Sequence, residues 1–370
     1  MATKLEISEL DFDGIKSNLK TFLSQQNEFT DYDFEGSGMS TLLDVLAYNT
    51  HYLGYNANML ANEMYLDSAD LRSSVVSLAK QVGYTPTSST SSTATIDVLV
   101  SPASGASLTM SRGTKFSTTV DGQSYSFVNN ADVSITPTDG VYKFSNLKIH
   151  EGSYLNYKYT VSTSDIDQRF IIPNDSVDTT TLTVKIQESS SDATTNTYTL
   201  ASGITGLDST SKVYFLQEVE GGRFEVYFGD GVLGKAVADG NIVILDYINT
   251  NRDAPNGATS FTLSGTIGGF SSATITTSSN ASGGTGLESI ASIKYNAPRD
   301  YTAQDRAVTA EDYKTLVKSL YANAQAVQVY GGEDAETPDY GKVYISIKAK
   351  SGSNLTTATK ESIVQSLKQY

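Results

Sequence analysis

RFEVYFGDGVLGKAVADGNIVILD, residues 223–246, carries the clearest backbone instruction in the chain. Phe224, Val226 and Phe228 alternate with Glu225 and Tyr227, the period of a half-buried strand. Asp230-Gly231 supplies residues that accept positive φ, as a tight reversal needs. Asp239-Gly240 is a second turn signal, and a strand of β-branched residues runs on from Ile242 to Tyr247. The spacing predicts a hairpin of two antiparallel strands. Its character is structural, because no nucleophile or ligand set gathers in it.

Moving outward, period two persists upstream as far as Ala94, where Ile96, Val98 and Val100 alternate with Asp97 and Leu99. Further short strands are expected at 125–128, 141–149, 154–161, 182–186 and 213–216, separated by Gly, Asp and Asn. That rhythm predicts an antiparallel barrel or sandwich. Residues 188–197 read as an exposed loop, 86–93 (PTSSTSST) as a polar linker, and 255–286 as Gly/Ser/Thr-rich loops with one or two edge strands.

Residues before the linker read as helical. Ile15, Leu19, Phe22 and Leu23 fall at helical spacing behind a candidate N-cap at Asp11 or Asp13. A longer helix is expected from about Ser40, with Leu42, Leu43, Leu46, Leu53 and Leu60 on one side, widened by Tyr48, Tyr52, Tyr55 and Met59. A third is expected from Asp67 or Ser68, striped by Leu71, Val75, Leu78, Ala79 and Val82 and stopped at Gly83. Apolar faces this wide suit helices covered on more than one side. After Leu287 comes a short helix expected to end at Ala297-Pro298. A helix then starts behind a near capping box, Thr309 with Asp312. Strands near 326–330 and 343–347 and a last helix over 357–369 follow. Two strands make a thin sheet, so the unit is expected to be completed by a partner or by a longer product.

The fold class is therefore expected to be multidomain α+β: an N-terminal helical bundle over 1–85, a central antiparallel β barrel or sandwich region over 86–286 in one or two subdomains, and a small, incomplete α/β unit over 287–370. Across the 370 residues, 26 Lys and Arg stand against 41 Asp and Glu, a net charge of −15. Such a chain repels phosphate backbones and anionic lipid, which argues against nucleic-acid and membrane partners. The absence of cysteine removes disulfides and thiolate metal sites.

Enzymatic readings fail one by one. Asp31, Asp33, Glu35 and Gly36 open like a calcium loop, but Leu42 stands where the bidentate glutamate belongs. The two histidines, His51 and His150, lack spaced carboxylates. Gly283-Gly284-Thr285-Gly286 is followed by no Lys-Ser or Lys-Thr, and no Gly-x-Ser-x-Gly occurs. No catalytic residue, metal or cofactor is expected. A virion adhesin or carbohydrate-binding β protein is the alternative reading, since tyrosine rings stack on sugars.

Four stretches carry a resemblance. FEGSGMSTLLDVLAYNTHYLGYNANMLANEMYLDSADLRSSVVSLAKQVGYTP, YFGDGVLGKAVADGNIVILDYINT, GGTGLESIASIKYNAPRDYTAQDRAVTAEDY and VQVYGGEDAETPDYGKVYISI together resemble, in order, the large baseplate wedge subunit of contractile-tailed bacteriophages and the wider baseplate J-like family. The resemblance implies a structural virion protein of the tail baseplate, assembled in the host cytoplasm. It implies pairing with a second copy, with other wedge proteins through a helical bundle, and with a sheath-initiator subunit. It implies wedges closing as a ring around the tail hub and rearranging to trigger sheath contraction. The bundle contacts expected on this basis are Leu42, Leu46, Leu53, Leu60, Leu71, Val75, Leu78 and Val82. Contacts between wedges are expected near Leu316, Leu320, Ile363 and Leu367. Members of the family continue well beyond Tyr370.

Overall fold

The computed structural model describes residues 11–26, 28, 32–201, 206–304, 306–321, 324–335, 337–349, 355, 357–368 and 370. Asp31 and Gln369 lie outside them. The chain divides into two compact units, Met1–Val82 and Gly83–Tyr370.

The first unit holds α1 (Phe12–Ser24), α2 (Gly38–Glu63) and α3 (Arg72–Gln81). The Asp11 carboxylate accepts the Gly14 N–H at 3.1 Å and so caps α1. The Ser37 hydroxyl does the same for α2 through Ser40 N–H at 2.9 Å. α1 packs on α2, tied by the Lys16–Asp44 ion pair at 2.6 Å. α3 starts four to five residues later than its sequence suggests, because residues 65–70 form a turn.

The second unit runs β1 (Thr93–Val100), β2 (Leu108–Met110), β3 (Lys115–Val120), β4 (Gln123–Asn129), β5 (Val133–Ile135), β6 (Tyr142–Glu151), β7 (Ser153–Thr160), β8 (Phe170–Ile171), β9 (Val177–Gln187), β10 (Thr195–Leu200), β11 (Val213–Glu218), β12 (Phe224–Phe228), β13 (Ile242–Asn249), β14 (Thr262–Ser264) and β15 (Thr274–Ser282). It ends with α4 (Ile290–Ala303), α5 (Ala310–Leu320), β16 (Ala324–Gly331), β17 (Val343–Ala349) and α6 (Thr357–Leu367).

Six strands form an antiparallel sheet in the order β14-β3-β4-β6-β1-β15. Its inner face is built from Ile96, Val98, Val100, Phe116, Phe127, Phe144 and Ile149, all buried, with Phe261 edge-on to Phe127 at 4.9 Å. The two strands of the 255–286 region are the two outer strands of this sheet.

The second sheet has the order β7-β13-β9-β10-β11-β12-β8. Its outermost strands, β7 and β8, are consecutive in the chain, and the Tyr159 hydroxyl on one donates to the Ile171 carbonyl on the other. The sheet therefore curls into a half-barrel around Val184, Val226, Val243, Leu245 and Tyr247. Tyr159, Phe170, Phe228 and Tyr198 touch edge to face in a row through it.

Three expectations change here. The 223–246 stretch is not a hairpin. β12 pairs with β11 (Leu216↔Val226) and β8, whereas β13 pairs with β7 and β9. The turn itself forms: the Asp230 carboxylate accepts Val232 and Leu233 N–H at 2.9 and 3.0 Å. It redirects the chain across the sheet instead of returning it. Pro298 lies inside α4, which continues to Ala303 because Ile293 and Ala297 bury its inner side; packing outweighs one lost helical donor. Residues 195–197 of the expected exposed loop belong to strand β10.

The 86–93 segment is no exposed linker either. Ser88, Ser89, Ser91 and Ser92 are almost wholly buried. Burial of these hydroxyls is offset where they find partners, as Ser88, Thr90 and Ser91 do; the Ser89 and Ser92 hydroxyls are buried without one among the described residues. Ser88 bonds Thr179, Ser91 donates to Asp178, and Thr90 meets Thr285. At one end Glu288 accepts Tyr84 O–H, Thr87 N–H and Ser292 O–H.

Candidate functional site: the outward face of the long helix

One cluster among the described residues has the residue types of a catalytic triad: Ser91, His150 and Asp178. Ser91 Oγ lies 2.6 Å from Asp178 Oδ2 and 3.1 Å from His150 Nδ1. A working triad places the imidazole between serine and carboxylate, so that the base takes the serine proton. Here the serine is in the middle and gives its proton to the carboxylate. Asp178 also accepts Ser91 N–H, Thr180 N–H and Thr180 O–H. Burial pushes the His150 pKa down to about 4, against the pull of Asp178. The cluster is a polar lock between the buried 88–92 segment and β9.

The buried carboxylates of the β region are equally occupied. Arg169 grips Glu225 with two nitrogens, at 2.9 and 2.6 Å. Buried Asp246 takes Arg112, Lys185 and Asn156. Glu151, fully buried at the end of β6, accepts the Thr250 hydroxyl and both the main-chain and side-chain N–H of Asn251. Among the described residues no group of three or more potential ligands could hold a metal ion. No helix there is long and apolar enough to cross a membrane.

What stands out instead is α2, whose patterning is turned inside out. Its buried residues are Ser40, Leu43 and Ala47, and His51, Gly54 and Asn58 continue that side as half-buried positions. Its large apolar residues point to solvent. Leu42, Leu46, Leu53 and Leu60 are 50–67 % exposed, and Val45, Tyr48, Tyr52, Tyr55 and Met59 are 48–60 % exposed. Met64 and Tyr65 extend the surface past the helix end. The exposed residues form two seams. Leu42, Leu46, Asn49, Leu53, Asn56 and Leu60 step by four and three, and so do Val45, Tyr48, Tyr52, Tyr55 and Met59. A 3.5-residue period on each seam is the pattern of helix packed against helix. The Tyr48 and Tyr52 rings already touch, tilted at 60° with centres 4.6 Å apart and hydroxyls 3.0 Å apart. An exposed apolar face running the length of a helix is of the kind that suits packing against another helix.

The positions singled out from sequence divide cleanly. Leu42, Leu46, Leu53, Leu60 and Leu71 are exposed and free to meet a neighbour. Leu78 and Val82 are half-buried. Val75 is wholly buried by its own chain and is a core residue. Leu316 and Ile363 are buried too, because α5 packs against α4, β16 and α6. Leu320 and Leu367 are half-buried. Those four positions hold the C-terminal elements together, and only the latter two offer surface. Sequence reasoning missed Val45, Met64 and Tyr65; the heptad steps from Tyr48 and Met59 reach Val45, while nothing local flags the residues past the helix end.

Three family models match the chain. "Baseplate wedge protein gp6-like, helical domain" covers residues 11–84, "Bacteriophage baseplate wedge protein gp6, third domain" covers 157–256, and "Baseplate structural protein gp6, C-terminal domain I" covers 309–370. Baseplate wedge protein gp6 of Enterobacteria phage T4 is 32 % identical over 386 aligned positions, covering 97 % of this chain. The chain spans 57 % of that relative's length. A cryo-EM structure of the anti-feeding prophage baseplate, 6-fold symmetrised, aligns over 99 % of this chain and 77 % of its own at 12 % identity, with a TM-score of 0.33.

Proposed function

The chain belongs to the gp6-like family of baseplate wedge proteins of contractile-tailed bacteriophages, and from that premise we propose how it is built into the virion. It works as a structural subunit without catalytic chemistry. Its α2 pairs with a second copy and with a further wedge protein in a helical bundle. Wedges so formed close as a ring around the tail hub, dock the sheath initiator, and shift between two packed arrangements when the sheath is triggered. Assembly takes place in the host cytoplasm.

The observation that carries this reading is the outward apolar face of α2, with its two seams. One seam suits one neighbouring helix; two adjacent seams suit two. Burying each of the four exposed leucines contributes roughly 1 kcal/mol or more, so the seams together can hold a bundle that α1 alone does not complete. Asn49 and Asn56, repeated seven apart on the leucine seam, would set register, as a polar residue in an apolar seam does.

The test is reconstitution. The chain is co-expressed with its neighbouring baseplate proteins and the particles are imaged. Wedge-shaped or ring particles are expected for the wild-type chain and none for Leu46→Asp/Leu53→Asp. Monomers in both cases would defeat the reading.

A further inference from the structure

A cleft of about 270 Å³ opens between α4, α5 and the start of β16. It is basic in a chain that is strongly acidic. Arg299, Lys314 and Lys318 line it, and Glu311 is its one carboxylate. Glu311 is spent on Lys314 at 2.6 Å. Among the described residues Arg299 donates only to the Tyr295 carbonyl of its own helix, and its guanidinium lies 3.6 Å from the Tyr295 ring centre. Lys318 lies 5.0 Å from the same ring. Among the described residues neither Arg299 nor Lys318 has a carboxylate partner, although acids outnumber bases 41 to 26. The local field is visible in Glu311 itself: the Lys314 hydrogen bond, then the charges of Lys314, Arg299 and Lys318, hold its carboxyl below the usual range against desolvation.

The cleft has a second property. Three consecutive residues of β16, 325–327, line it. The pairing of β16 with β17 is broken between Ala324 and Ala326, so at the cleft the strand turns main chain as well as side chains toward the opening, where regular alternation would show every second residue. Among the described residues β17 is the sole strand partner of β16. An unpaired edge offers main-chain N–H and C=O groups to another strand.

We infer that this cleft receives an extended acidic segment of another protein, which adds as a strand to the edge of β16 and sets its carboxylates against Arg299 and Lys318. Main-chain hydrogen bonds supply affinity, and the two cations supply selectivity and orientation. The Tyr295 ring, half-exposed beneath both cations, holds them in place while the site is empty. This contact is separate from the α2 surface and survives if the bundle reading fails.

The test uses the full chain and a fluorescent peptide of alternating glutamate and valine, followed by anisotropy at low and high salt. The peptide binds, weakens as salt rises, and shifts the backbone amide resonances of residues 325–327. Arg299→Glu/Lys318→Glu weakens it by about tenfold or more, with unchanged circular dichroism. Exposed Lys143→Glu, on β6 of the six-stranded sheet, alters net charge by the same amount per residue away from the cleft and leaves affinity intact. Equal binding of the matching lysine–valine peptide overturns the inference. So does full competition by single-stranded oligonucleotide, which would make the cleft a general polyanion site, and so does affinity unchanged by the double reversal. Running the titration on Leu46→Asp as well keeps this result distinct from the fate of the bundle.

Discussion

The Glu63 carboxylate, in the last turn of α2, accepts the Asp70 N–H at 2.9 Å and so closes the turn that launches α3. It also takes the Leu71 N–H, at 3.3 Å to either oxygen. α3 has no side-chain cap of its own, since Leu71 stands at its N-cap. Glu63 is that cap, supplied from the preceding helix.

Removing it should therefore loosen α3. Burial raises the Glu63 pKa, but the Asp70 N–H, the Ser74 hydroxyl and the Leu71 N–H outweigh burial and bring it below its ordinary 4.5. A carboxyl lowered on folding adds stability at pH above about 4.5 and loses it as pH falls through the folded value. Glu63→Ala is expected to cost about 1 kcal/mol at neutral pH and to flatten the acid limb of helix melting followed by circular dichroism. An unchanged melt would show that the turn holds without it.

The α2 surface predicts a split between stability and assembly. Leu46→Asp and Leu53→Asp alter exposed positions and should shift unfolding by no more than about 0.5 kcal/mol, while abolishing self-association seen by light scattering. Leu43→Ala, at a position only 3 % exposed, should do the reverse and lower the stability of the helical unit by about 2 kcal/mol or more.

His150 predicts a pH dependence of opposite origin to that of a paired histidine. Its ordinary value of 6.5 falls to about 4 on folding, chiefly through burial. The unfolded chain then takes up a proton that the folded chain refuses. The contribution is full above pH 6.5 and declines as pH falls toward 4. By pH 5 it amounts to a loss of roughly 2 kcal/mol. Urea midpoints at pH 7 and 5 should converge for His150→Gln relative to wild type; parallel shifts in both proteins would rule the histidine out.

Gly152 predicts a hard limit on substitution. It joins β6 to β7 at φ +126°, and a Cβ there would overlap the Asn249 carbonyl. Gly152→Ala should destabilise the β region by several kcal/mol, read as a fall in Tm with no change in the melting of the isolated helical signal.

Local features of the fold were legible, and partnerships were not. The alternation of Ile96, Val98 and Val100 announced β1, and Thr309 with Asp312 forms the expected capping box. Asp230-Gly231 announced a turn, but a turn fixes only a change of direction. Which strand β12 joins depends on Val226 meeting Leu216 and Phe170 from elsewhere in the chain. The serines of 88–92 read as a linker because their partners, Asp178 and Thr285, lie far along the sequence. The apolar side of α2 was evident from its leucines. That it points to solvent was not, since amphipathicity gives a face and not what the face meets.

The sheet order sets a timetable for synthesis. β13 sits between β7 and β9, so residues 153–160 and 177–187 wait for residues 242–249 before either gains its central neighbour. At a ribosome adding about 5–20 residues per second, those two strands spend seconds with open edges. A stalled or crowded ribosome lengthens that interval, and stray pairing between nascent copies is the hazard it creates.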